Sequence, residues 1–160
     1  MLKLIVILVI MSVPLTSAGA EIDLGIIAQI ESSNNPNAYN KASQAYGLYQ
    51  ITPICLADYN QYHATGEISK DALSSVKLQE KVASWYLFTR IPSLLKFYGH
   101  EINETNQLIA FNCGVNCLKR KTLPTETTKY LEKYRSLSHE RAKDTAKHLP
   151  TTPNQRQRAS

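Results

Sequence analysis

The stretch Ile30-Glu31-Ser32-Ser33-Asn34 sets a carboxylate where an apolar helical pattern gives way to small polar residues. Upstream, Ile22, Ile26, Ile27 and Ile30 recur at spacings of three and four around Asp23, a residue type that caps helix starts. This pattern predicts an amphipathic helix ending near Glu31. A carboxylate in a last helical turn meets the negative end of the macrodipole, and the isoleucines put a dry flank beside it. Both effects favour the protonated form, so Glu31 is a candidate proton donor near neutral pH.

Downstream, Asn34-Asn35-Pro36-Asn37 is a dense turn signal, and the chain stays polar and loop-like to Gln44. The segment Ala45-Tyr46-Gly47-Leu48-Tyr49-Gln50-Ile51 reads as a short extended piece in which Gly47 permits close backbone approach. Thr52-Pro53 fits a cap followed by a first-turn proline, opening a helix through Ile54, Leu56 and Tyr59. A longer pattern starts at Ser74 or Ser75 and runs through Leu78, Val82, Trp85 and Thr89, with Trp85 expected in the core and Pro92 kinking or restarting the helix. Asn103 or Thr105 caps a helix carrying Leu108 and Ile109 to Ala110-Phe111-Asn112-Cys113-Gly114, where Gly114 ends or bends it. Leu123-Pro124-Thr125-Glu126 opens a last helix with Tyr130, Leu131 and Tyr134. Five or six helices with little strand give a mainly α fold, two-lobed or bundle-like, with no internal repeat.

Residues 1–20 read as a secretory signal peptide: Lys3, an apolar run over Leu4 to Met11, and Ala18-Gly19-Ala20 as the cleavage site. That run is shorter than the roughly 20 residues a bilayer-spanning helix needs. Export is therefore expected, with no transmembrane segment after cleavage. The following 140 residues suit one domain, read as residues 21–147, with 148–160 as a disordered basic tail rich in Pro, Thr, Asn, Gln and Arg.

The chain holds 18 Lys and Arg against 13 Asp and Glu, unevenly placed: from Leu118 onward there are 11 basic and 4 acidic residues, and from Glu21 to Cys117 there are 6 and 9. A basic end favours polyanionic surfaces or serves as a solvated tail. Three cysteines, Cys55, Cys113 and Cys117, imply in an oxidising compartment one disulfide and one free thiol, with Cys55 bonded to one of the other two. The histidines and cysteines lack zinc-ligand spacing, so no metal is assigned.

Four segments stand in order: Glu31-Ser32; Gly47-Leu48-Tyr49-Gln50-Ile51-Thr52-Pro53; Ala110-Phe111-Asn112-Cys113-Gly114; and Pro124-Thr125-Glu126-Thr127 with Tyr130. Together they resemble the signature of the soluble lytic transglycosylase (SLT) family over roughly Ile22 to Leu137. The resemblance implies a lysozyme-like domain related to goose-type lysozyme, with at most a very small β element. It also implies cleavage of the β-1,4 bond between N-acetylmuramic acid and N-acetylglucosamine in peptidoglycan, without water, leaving a 1,6-anhydro end. No cofactor is implied, and the partner is the glycan strand, not nucleic acid. By the family pattern Glu31 matches the catalytic glutamate and Gln50 and Asn112 match groove-lining amides. Tyr130 matches a tyrosine whose hydroxyl approaches the catalytic carboxylate, and Ser32 organises the turn beside it.

The sequence departs from that pattern at three positions. Tyr49 replaces a frequent methionine, giving an aromatic groove floor on which a sugar face can stack. Phe111 replaces a common tyrosine, and Cys113 a small alanine. Most glycosidases use two carboxylates, and of the second candidates Asp58 reads as a helix-surface residue and Glu126 as a first-turn residue. The small size resembles stand-alone members accompanying conjugation, secretion or pilus systems, which makes the periplasm or cell envelope the expected location. The competing readings are a lysozyme-type muramidase that uses water, a non-catalytic peptidoglycan-binding assembly protein, and a thiol hydrolase built on Cys113 or Cys117 with His139 or His100.

Overall fold

Asp23 caps the first helix: its carboxylate accepts from the N–H groups of Gly25 (2.8 Å) and Ile26 (3.3 Å), and α1 runs Leu24–Ser32. Ser33 ends it in the left-handed region (φ 55°), a conformation that turns the chain away from the helix axis. Ile26 and Ile27 are buried while the polar turn that follows is exposed, so the isoleucine stripe is the face that anchors α1 to the core. These features come from a computed structural model that describes residues 22–63 and 67–148. The leader-like segment 1–20 and the tail beyond His148 lie outside the described residues.

The remaining elements are a ribbon of β1 (Tyr39–Asn40) and β2 (Ala45–Tyr46), then α2 (Pro53–Tyr62), α3 (Val76–Trp85), α4 (Ile91–Phe97), α5 (Glu104–Cys113) and α6 (Thr125–His148). The fold is mainly α with one very small antiparallel ribbon, Tyr39 opposite Tyr46 and Asn40 opposite Ala45. Thr52 accepts from the N–H of Cys55 (3.2 Å) to start α2, and Asn103 accepts from that of Asn106 (2.8 Å) to start α5. Around the core α1 packs on α6, α6 on α5, and α5 on α4. Leu87, Leu95, Val82, Ile91 and Leu108 fill the interior between them.

In one place the backbone differs from the sequence reading. The segment Ala45 to Ile51 is extended for only two residues. It then folds back on itself, with Tyr46 and Ile51 exchanging backbone hydrogen bonds of 3.0 and 2.9 Å. Positive φ at Gly47 (81°) and Gln50 (47°) makes that reversal possible. The irregularity that the sequence set at Pro92 takes the form of a π turn just before it, and the α-helix restarts at Ile91 with Pro92 in its first turn. That π turn, Tyr86–Arg90, joins α3 to α4. A proline has no N–H to give to the preceding turn, and the wider π turn accommodates the missing bond.

Candidate active site

A cleft of about 420 Å³ opens beside the C-terminal end of α1, with Glu31, Tyr49, Gln50 and Asn112 among its lining residues. Glu31 is there because α1 stops one residue later. The helix end holds the carboxyl at the junction between the isoleucine-backed core and the polar loop. Burial pushes its pKa up to about 7, against the opposing influence of the Tyr130 phenol and the Lys133 ammonium. The group therefore exchanges its proton near neutral pH, the condition for giving a proton and later taking one back.

Tyr130 sits on the buried face of α6 against Glu31 and does not line the cleft. Its hydroxyl is buried and closes no hydrogen bond of ordinary geometry among the described residues. It nevertheless lies near enough to the carboxyl for each group to shift the other's proton affinity. Burial, followed by the neighbouring Glu31, raises the pKa of the phenol and keeps it protonated.

Ser32 lies outside the cleft lining. Its hydroxyl donates to the carbonyl oxygens of Ala28 (3.1 Å) and Leu48 (3.0 Å), stitching the end of α1 to the loop that carries Tyr49 and Gln50. Gln50 donates from Nε2 to the carbonyl oxygens of Gly47 (3.1 Å) and Ala38 (3.5 Å). Asn112, at the end of α5, accepts through Oδ1 from the Thr127 hydroxyl at 2.8 Å. With Oδ1 so engaged, the Asn112 amide has its NH₂ left for a ligand in the cleft.

Two residues that shape the cleft were missed by the sequence reading. Gln79 on α3 is completely buried. Its Oε1 accepts from the N–H of Leu48 (2.7 Å), and its Nε2 donates to the carbonyl oxygens of Pro36 (2.9 Å) and Leu73 (2.7 Å). It thereby fixes the cleft loop to the helical core. The signal was its spacing: Gln79 precedes Val82, Ala83 and Tyr86 by three, four and seven residues and so shares the inward face of α3. Tyr86, carried into the lining by the π turn, is the other, and no sequence signal separates it from an ordinary packed residue. Thr127, quoted in the motif that opens α6, is buried in the first turn of that helix.

The cysteines correct one expectation. Cys113 pairs with Cys117, one helical turn on, with Cα atoms 6.0 Å apart. Cys55 is the free thiol; it lines the cleft from α2, and burial with the nearby Asp58 pushes its pKa up to about 12. Such a thiol is almost wholly protonated and a poor nucleophile. Of the two proposed second carboxylates, Glu126 lines the cleft with Glu31, whereas Asp58 is engaged by Arg90 at 2.7 Å. Among the described residues no three His, Cys, Asp or Glu side chains converge to hold a metal ion, and no helix is long and apolar enough to cross a membrane.

A family model described as the transglycosylase SLT domain matches residues 20–133. No curated protein and no solved structure matches the chain.

Proposed function

The chain belongs to the transglycosylase SLT domain family, whose lysozyme-like members act on peptidoglycan, and from that membership we propose that it is a lytic transglycosylase with Glu31 as its single acid and base. The observation that carries the proposal is a cleft-lining carboxyl whose pKa is pushed up to about 7 by burial. Neutral Glu31 protonates the oxygen of the β-1,4 bond between N-acetylmuramic acid and N-acetylglucosamine as the C1–O bond breaks. The resulting carboxylate takes the proton from the C6 hydroxyl of the muramic acid as its oxygen bonds to C1. The C1–O bond to the leaving sugar is lost, the C1–O6 bond of an internal 1,6-anhydro acetal is gained, and no water enters the products. The substrate's N-acetyl group supports the positive charge at C1 in place of a second carboxylate.

The remaining site residues take supporting roles in this reading. Gln50 and Asn112 offer amides to N-acetyl and hydroxyl groups, and the Tyr49 ring floors the groove. Tyr130 orients and tunes Glu31, while Ser32 secures the turn behind it. No cofactor takes part. The leader-like segment supports export to the periplasm or envelope, and the basic stretch after Leu118 supports docking on an envelope-spanning conjugation, secretion or pilus machine for local wall opening.

One observation favours a second reading, hydrolysis of lysozyme type: Glu126 lines the same cleft and supplies another carboxyl. Digestion of sacculi in oxygen-18 water separates the two. The lyase leaves unlabelled anhydro ends; labelled reducing ends would instead establish the hydrolase.

A further inference from the structure

The cleft does not end at its lining. Phe111 and Tyr86, both in the lining, have ring centroids 6.3 Å apart. Tyr86 lies 6.2 Å from Trp85, and Trp85 lies 5.6 Å from Tyr62. This run of rings leads from the cleft to the outer end of α2, where Tyr62 is 57% exposed. Two structural features build it. Cys55, Asp58 and Tyr62 form one stripe of α2 at spacings of three and four, beginning at the cleft. Beside it the π turn sends Tyr86 into the cleft and Arg90 toward α2. A π turn inside a helix re-aims side chains and is frequent at functional sites.

Tyr62 is held, not merely exposed. Asp58 binds Arg90 Nε at 2.7 Å, Arg90 Nη1 donates to the Tyr62 hydroxyl at 2.7 Å, and the guanidinium lies 4.5 Å from the centre of the Tyr62 ring. An exposed ring fixed by a charged pair on one side presents a prepared apolar surface at little further ordering cost. Trp85, expected in the core, is only partly buried against it; it packs on Tyr59 and His63 and spaces the exposed platform from the cleft.

We propose that Tyr62, braced by Arg90 and Asp58, is an outlying subsite on which an N-acetylhexosamine of the glycan strand stacks after the strand has left the Glu31 cleft. The occupant follows from continuity: the ring run and the Cys55–Asp58–Tyr62 stripe of α2 both start in the cleft lining and end at the exposed ring, which sets Tyr62 where a strand longer than the cleft would emerge. The inference rests on the peptidoglycan reading and deepens it, assigning the protein a preference for long strands.

The test measures binding of peptide-free peptidoglycan glycan, as a tetrasaccharide and as a long-strand fraction, to Glu31→Gln protein. This parent keeps the cleft but cannot turn the ligand over. The expected result is tighter binding of the long strand by the parent. Adding Tyr62→Ala should weaken that binding about three- to tenfold, the range of an ordinary aromatic contact, and leave tetrasaccharide binding unchanged. Tyr62→Phe should retain the long-strand affinity. Unchanged long-strand affinity in the Tyr62→Ala protein, or equal loss for both ligands, overturns the subsite alone. A parent that binds neither ligand contradicts the peptidoglycan reading and the subsite with it.

Discussion

At the scale of one residue, the burial of the Glu31 carboxyl costs stability in a way that has a definite sign. In the unfolded chain its carboxyl titrates near its ordinary value of 4.5, and in the fold burial pushes it up to about 7. Between those values the folded state holds a proton that the unfolded state has released, so stability falls as pH rises through that window. The penalty is complete above about pH 7. Glu31→Gln removes it, and the variant is predicted to be more stable than the parent by about 1–3 kcal/mol at pH 8, with the difference vanishing near pH 4. Urea denaturation at the two pH values checks this, and a variant less stable at pH 8 would contradict the buried, raised carboxyl. The parent's turnover should decline as pH rises beyond about 7, when the acid form is lost. This much was legible in the sequence, because a carboxylate ending a helix backed by Ile26, Ile27 and Ile30 already implied both the dry flank and the adverse dipole. The packing of the Tyr130 hydroxyl against it was not, since residues 99 positions apart in the chain meet only through the docking of α6 on α1.

At the scale of elements, the helices declared themselves and the cleft loop did not. Asp23, Thr52 and Asn103 act as caps where the sequence set them, because capping depends on a few neighbouring atoms. The loop from Gly47 to Ile51 reverses because of what lies beneath it: Gly47 stands directly over the buried Gln79 amide, and a Cβ there would collide with the Gln79 side chain. That distant contact has no local signature. Two substitutions follow from it. Gln79→Leu strands the N–H of Leu48 and the carbonyl oxygens of Pro36 and Leu73, and is predicted to cost about 2–4 kcal/mol. Gly47→Ala adds both the collision and an unfavourable positive φ, for a loss of similar size. Both should lower the urea midpoint and weaken glycan binding together, since the same loop carries Tyr49 and Gln50. A midpoint within experimental error of the parent for either variant would contradict this tie. The π turn at Tyr86–Arg90 is likewise a tertiary outcome. Pro92 announced an irregularity in the helix, but its form depends on Tyr86 and Arg90 finding partners in the cleft and on α2.

At the scale of the whole molecule, the family match ends at residue 133 while α6 continues to His148. The continuation is tied back to the start of α1. The N–H of Asp23 donates to the Tyr134 hydroxyl at 2.8 Å, and Arg141 pairs with the Asp23 carboxylate at 2.6 Å. Tyr134 is buried, so the folding unit extends past the matched region. Truncation after Lys133 is predicted to cost at least about 3 kcal/mol, the usual penalty for losing a large buried aromatic side chain. Truncation after His148 should leave the melting temperature unchanged, and thermal denaturation of the two forms checks the pair. The exposed Asp23–Arg141 pair contributes little by itself. The cysteine pairing was the part of the whole that composition could count but not connect: three thiols fix the number of disulfides, and only the short reach from Cys113 to Cys117 across the end of α5 chooses among them.

The central claim is that one carboxyl, alone, relays a proton between two oxygens of a bound glycan. Mass spectrometry of the muropeptides released from intact sacculi by the parent and by Glu31→Gln tests it most directly. The account predicts products ending in 1,6-anhydro-N-acetylmuramic acid from the parent, and release reduced about 100-fold or more in the variant. Reducing-end products from the parent, or undiminished release by Glu31→Gln, would contradict it.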